Sequence, residues 1–201
     1  MFTKIILIVL GEPNSTFSEI LFKYFNSNNF KRINKKIILI GNYELLEKQM
    51  THLNYKIHLN KITDINKSLK KRVNIIDVEY NFKKTFTDIS VMSNRYIENC
   101  FNLSLKLIRK KNVHSLINGP ISKKHFLKKK YPGITEYIAD KTNSKQPVML
   151  IYNKNLSVSP LTTHIPIKKV SKFIKKKKII NNVNQINEFY KKRFGKKPRI
   201  A

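Results

Sequence analysis

The sequence predicts an α/β protein with a largely parallel sheet, and three observations point there. Short strand-like runs recur and pass into glycine turns: the unbroken apolar "IILIVL" before "GEP", "KKIILI" before "GN", and "VHSLI" before "NGP". Continuous apolar runs of this length suit strands buried on both faces. Segments with apolar residues every three or four positions lie between those runs, as core-facing helices require. Strand and helix patterns therefore alternate along the chain, which favours crossover units over hairpins.

Taken in order, Ile5 to Leu10 reads as the first strand, entering a turn at Gly11-Glu12-Pro13. "STFSEILFKYF" follows as a helix, with Ser15 as its expected N-cap and Phe17, Ile20, Leu21, Tyr24 and Phe25 on its apolar face. "KKIILIGNYELLEKQM" repeats the strand, turn and helix plan. "VNIIDV", Val73 to Val78, is a further strand. The longest helix is expected from about Asp88 to Lys110, its stripe being Ile89, Met92, Tyr96, Cys100, Leu103 and Leu107. "VHSLINGPIS" reads as a strand running into a Gly-Pro loop.

Farther on, "VMLIYN" and "LSVSPLTT" look like a strand pair turning around Asn153 to Asn155. Pro166 suits the first position of a helix over "PIKKVSKFI". "KIINNVNQINEFYKKRF" places Ile179, Val183, Ile186, Phe189 and Tyr190 on one helical stripe, and Gly195 stops it. "KPRIA" reads as the opening of another strand. The Lys128–Lys130 and Lys175–Lys178 runs are expected at solvated helix ends. No internal repeat, low-complexity linker or domain boundary is legible.

A chain of 201 residues buries enough surface to fold without cross-links. Cys100 is its one cysteine, so no intramolecular disulfide can form. That cysteine falls on the apolar face of the long helix, which suits a core residue in a reducing cytoplasm. The longest early apolar run is far short of the roughly 20 residues a membrane helix needs, and no export signal is legible. The formal net charge is +29. By itself that suggests nucleic acid or an anionic membrane. The basic residues are 35 Lys and 6 Arg, beside 28 Ile, 23 Asn and 2 Ala, the skew that A/T-rich codons produce. Nucleic-acid sites lean on Arg for bidentate and stacked contacts, so a nucleic-acid partner is disfavoured.

Three strand-to-loop junctions stand out: "GEPNSTFSEI", "NGPISKK" and "PLTTHIP". Ligands of open α/β sheets bind outside the carboxyl ends of strands, where all three junctions are expected. A fourth segment, "YPGITEYIADKT", follows the second. Each has an ordinary structural reading as well. Lys123 could be an exposed lysine at a helix start, Thr135 a helix cap, and His164 a histidine bonded to a nearby carbonyl. His52, His58, His114 and His125 show no metal-ligand spacing, and the turn at Gly11 lacks the further glycines of a dinucleotide fingerprint.

In this order, "GEP", "NGPISK", "GITEY" and "VMLIYNKNLSVSPLTTHIPIKKVSKFI" resemble the 4-hydroxythreonine-4-phosphate dehydrogenase family of vitamin B6 biosynthesis. The match is densest from Ile117 to Ile174 and spans essentially the whole chain, residues 1–201. The resemblance implies an α/β/α fold like that of isocitrate and isopropylmalate dehydrogenases. It implies NAD-dependent oxidation of the secondary hydroxyl of 4-phosphooxy-threonine, followed by loss of carbon dioxide. It also implies a divalent metal (Zn, Mg or Co) on three histidines, and a homodimer with the active site at the subunit interface. His164, in "TTHIP", maps onto the first metal histidine, Thr135 onto a substrate-binding threonine, and Lys123 onto an active-site lysine. No NAD-binding residue can be mapped.

Two departures bear on that reading. Ile134 stands where many members have a histidine that contacts substrate, and "NSTFSEI" replaces a glycine-rich continuation after "GEP". Family members also continue well past "PRIA", and the other metal histidines and most of the NAD site lie in that later part. The chain is therefore expected to be the front portion of such a dehydrogenase and inactive alone. The alternatives are a related dehydrogenase for another phosphorylated hydroxy acid, and a non-catalytic basic binding protein.

Overall fold

Residues 5–33, 35–65, 73–110, 112–128 and 130–201 are described by the computed structural model. Lys129, the middle of the Lys128–Lys130 run, lies outside them. Contacts divide the chain into two units, Met1–Lys130 and Tyr131–Ala201.

The first unit is built on a five-stranded sheet. Its strands are β1 (Ile5–Val9), β2 (Lys36–Gly41), β3 (Asn60–Ile62), β4 (Val73–Asp77) and β5 (Val113–Asn118). They lie in the order β3-β4-β2-β1-β5, and every pairing is parallel. Between β1 and β2 run the helices α1 (Phe17–Asn26) and α2 (Asn28–Lys31), α3 (Tyr43–His52) follows β2, and α4 (Asn94–Leu107) precedes β5.

Alternate residues of each strand point to opposite faces of the sheet. On one face Ile8, Ile37, Leu39, Val73 and Ile75 meet Leu21, Phe22 and Phe25 of α1, Phe30 of α2 and Leu46 of α3. α4 packs on β1 and β2, and buries Tyr96, Ile97, Cys100, Phe101 and Leu107. The layered α/β architecture expected from the strand and helix alternation is borne out.

Several expectations need correction. β3 is a three-residue edge strand that carries no apolar run. The stripe of α1 is rotated by one position: Leu21, Phe22 and Phe25 are buried, and Ile20 and Tyr24 face solvent. Thr16, not Ser15, is the N-cap of α1. α4 begins at Asn94, after a single 3-10 turn at Val91–Ser93. Ile89 and Met92 therefore lie before the helix and are exposed, Met92 at 80%. Cys100 is buried and free, and burial pushes its thiol up to about 12.

The second unit holds α5 (Ile134–Lys141), α6 (Val170–Phe173) and α7 (Lys176–Phe194). The expected strand pair shrinks to one antiparallel bridge, Ile151 with Val158. Its connection is held by local bonds instead, with Ser157 Oγ donating to Asn153 O at 3.0 Å. Pro166 precedes a 3-10 turn, Ile167–Lys169, and so stands one position before the helical residues it was expected to open. α7 ends at Gly195, whose φ of 66° is the left-handed cap that glycine adopts freely. Its apolar stripe is real, yet no residue of α7 is buried. "KPRIA" forms no strand.

Candidate functional site

β1 has β2 on one side and β5 on the other, so the strand order reverses direction at β1. This is a topological switch point, where loops at the carboxyl ends diverge and open α/β sheets bind ligands. Here the loops after β1 and β5 meet. The Gly119 amide donates to Val9 O at 2.7 Å, and the Glu12 amide donates to Pro120 O at 2.8 Å. A Cβ on Gly11 would stand 2.3 Å from Pro120 O, and one on Gly119 would stand 2.3 Å from Leu10 O. Gly11 also has φ 73°, which a side chain disfavours. Both glycines are therefore required by backbone touching backbone.

Glu12 is the buried centre of this junction, 3% exposed. One carboxylate oxygen accepts from the Asn14 amide at 3.2 Å and from Asn14 Nδ2 at 3.3 Å. The other accepts from Ser93 Oγ at 2.7 Å. Asn14 Oδ1 takes the Thr87 amide at 3.0 Å, and Gln49 Nε2 donates to Pro13 O at 2.8 Å. A buried carboxylate is tolerated only when hydrogen-bonded, and this one is paired through both oxygens. Its bonds fasten segment 85–93 to the loop after β1. The sequence marks "GEP" as a motif but shows no role for Glu12, whose partner Ser93 lies 81 positions away.

Lys123 lies three residues past Pro120 and is exposed. Its turn is set by Ser122, whose Oγ accepts from the His125 amide at 3.1 Å and whose carbonyl accepts from the Phe126 amide at 2.9 Å. No helix starts there, so the helix-start reading of Lys123 does not hold.

In the second unit Thr135 occupies the first turn of α5. Gly133 is the N-cap, without a side-chain bond, so Thr135 is not a cap. Thr135 lines a cleft of about 240 Å³ together with Lys145, Thr163, Lys178 and Asn182. The structure thus brings Thr135 and the "TTH" segment to one cleft. His164 itself is exposed and has φ 56°, in the left-handed region. Because a lone bridge precedes it, "TTHIP" does not end a strand of the parallel sheet, unlike the other two junctions.

No group of three or more His, Cys, Asp or Glu side chains comes together among the described residues. A catalytic metal ordinarily takes three protein ligands. An exposed imidazole at His164 can supply one; the described residues do not build the site. No helix among them is long and apolar enough to cross a membrane.

The parallel sheet, its reversal at β1 and the interlocked glycine loops define an α/β protein of the switch-point class. The chain belongs to the family described as pyridoxal phosphate biosynthetic protein PdxA, whose model matches residues 33–201. It is 33% identical over 200 residues to a 4-hydroxythreonine-4-phosphate dehydrogenase of Sulfurihydrogenibium sp., covering 96% of this chain and 60% of that protein. The Aquifex aeolicus enzyme of that name is 30% identical over 202 residues, covering 98% and 61% respectively. A putative D-threonate 4-phosphate dehydrogenase of Fusobacterium nucleatum is 26% identical, covering 95% and 59%. In fold, the chain matches the structure of a putative 4-hydroxythreonine-4-phosphate dehydrogenase from Salmonella typhimurium with a TM-score of 0.81. That match has 20% identity and covers 94% of this chain and 60% of that one. The family resemblance drawn from the sequence motifs is borne out, and the chain spans about 60% of the length of the curated relatives it matches.

Proposed function

We propose that this chain is the front portion of an NAD- and divalent-metal-dependent dehydrogenase that oxidises, then decarboxylates, 4-phosphooxy-threonine in pyridoxal phosphate biosynthesis. The observation that carries the reading is the gathering of Thr135 and the residue before His164 at one cleft, within a chain of this family. Thr135 offers a hydroxyl to the substrate, and His164 offers an imidazole to the metal. Lys123 contributes a cation to the active site, suited to a phosphorylated substrate. When bound, the metal would polarise the reacting oxygen while NAD accepts the hydride. With one metal ligand among the described residues, the chain alone is inactive; the working unit is a cytoplasmic homodimer.

Ile134 favours a second reading, a related phosphorylated hydroxy acid as substrate. A histidine can hydrogen-bond a polar substituent and an isoleucine cannot, so the site would discriminate less between substrates that differ in such a substituent. One relative carries the name D-threonate 4-phosphate dehydrogenase, and threonate bears a hydroxyl where threonine bears an amino group. NADH formation on 4-phosphooxy-threonine and on D-threonate 4-phosphate, measured side by side with the protein of the whole reading frame, separates the two. Failure on both sinks both.

A further inference from the structure

The turn after "GEP" carries a side-chain network built by Asn14 and Ser15. Ser15 Oγ donates to Glu12 O at 2.7 Å and accepts from the Phe17 amide at 3.3 Å. Asn14 binds the Glu12 carboxylate, as described above. Ser18, in the first turn of α1, is 7% exposed, and its Oγ has no hydrogen-bond partner among the described residues. A buried hydroxyl in that state costs free energy and calls for an explanation.

Ser18 lines a cavity of about 20 Å³. The same wall carries Glu12, Asn42, Gln49 and Tyr96 among apolar neighbours such as Leu45 and Leu46. On this measure a cavity of roughly 10–15 Å³ already admits one water, provided two or more polar groups face it. A phosphate or carboxylate does not fit, and the Glu12 carboxylate would repel either. The bonding capacity is complementary. Gln49 uses its Nε2 on Pro13 O and Thr85 O, and its amide oxygen is an acceptor. The Glu12 oxygens accept from Asn14 and Ser93, and a carboxylate has about four acceptor positions. Phe17 and Ser18, the first two residues of α1, line the cavity, and the N-cap Thr16 makes no side-chain cap bond.

We propose that this cavity is the binding site of a single buried water, which accepts a hydrogen bond from the Ser18 hydroxyl and donates to Glu12 or to the Gln49 amide oxygen. The water ties the first turn of α1 to the carboxylate that holds Ser93. Ser18 is then a positioning residue for the loop after β1, which the β5 loop clasps through Pro120 O.

Two measurements test this. A high-resolution crystal structure of the chain should show one solvent peak within hydrogen-bond distance of Ser18 Oγ. An absent peak, or an Oγ bonded to protein instead, overturns the proposal. Ser18→Ala gives opposite signs for a wet and a dry cavity. If water bridges the hydroxyl, its loss lowers Tm. If the hydroxyl is dry and unpaired, its removal relieves a penalty and raises Tm. A rise, or no change, overturns the proposal.

Discussion

The amide of Glu12 donates to the carbonyl of Pro120 at 2.8 Å, so the loops after the first and last strands of the sheet are one piece of structure. Neither loop can move or gain bulk without the other. Gly119→Ala would drive a Cβ to 2.3 Å from Leu10 O, an atom of the backbone and not a yielding side-chain tip. Overpacking of this kind costs about 1–3 kcal/mol. Urea unfolding should show a lower midpoint with an unchanged slope.

Tyr96 is a hydrogen-bond acceptor deep in the core. Its Oη takes the Asn42 amide at 3.0 Å, while Asn42 Oδ1 takes the Leu45 amide at 2.8 Å as the cap of α3. Burial raises the phenol well above its ordinary range, so it stays neutral at working pH. Tyr96→Phe would leave a buried amide unpaired, at a cost of about 1–3 kcal/mol. Amide hydrogen exchange at Asn42 should speed up before that of the strands.

Asp77 couples the end of β4 to α3 and responds to acid. Burial alone would raise its carboxyl. The Lys61 ammonium, 2.7 Å away, and the Tyr43 amide at 2.8 Å outweigh that and hold it below the usual range. A carboxyl depressed by folding stabilises the native state above its unfolded value, about 3.9, and the benefit fades as pH falls through the native value. Wild type should therefore exceed Asp77→Asn in stability near neutral pH, with the gap closing below about pH 4. Denaturant midpoints across that range check it.

His164 combines exposure with a left-handed backbone, φ 56°. A residue other than glycine in that region carries strain of order 1 kcal/mol, and such strain is tolerated where a side chain is needed. His164→Gly should leave Tm unchanged or raise it, while abolishing turnover in the complete enzyme. Thermal melts and turnover of the same variant separate the two effects.

The sheet was legible because strands buried on both faces read as continuous apolar runs, as β1 and β2 do, with β4 interrupted by the buried Asn74. β3 was not, since a three-residue edge strand, "NKI", carries no such run. Periodicity overextended α4, because Ile89 and Met92 keep helical spacing although Ile89 lies in irregular backbone and Met92 in a 3-10 turn, both exposed. Spacing reports where side chains could align and not whether anything covers them. "GEP" and "NGP" were correctly read as junctions at the carboxyl ends of strands. Their mutual clasp was not legible, because contact between residues more than a hundred positions apart leaves no local pattern. Glu12 was missed for the same reason: its partner Ser93 lies far away in sequence.

The most direct test is NAD reduction by the protein of the whole reading frame, with Zn, Mg or Co, on 4-phosphooxy-threonine and D-threonate 4-phosphate. NADH should form with at least one of them, and His164→Ala should remove it while leaving the fold intact. NADH formation unchanged in His164→Ala, or none with either acid under any of the metals, would contradict the account.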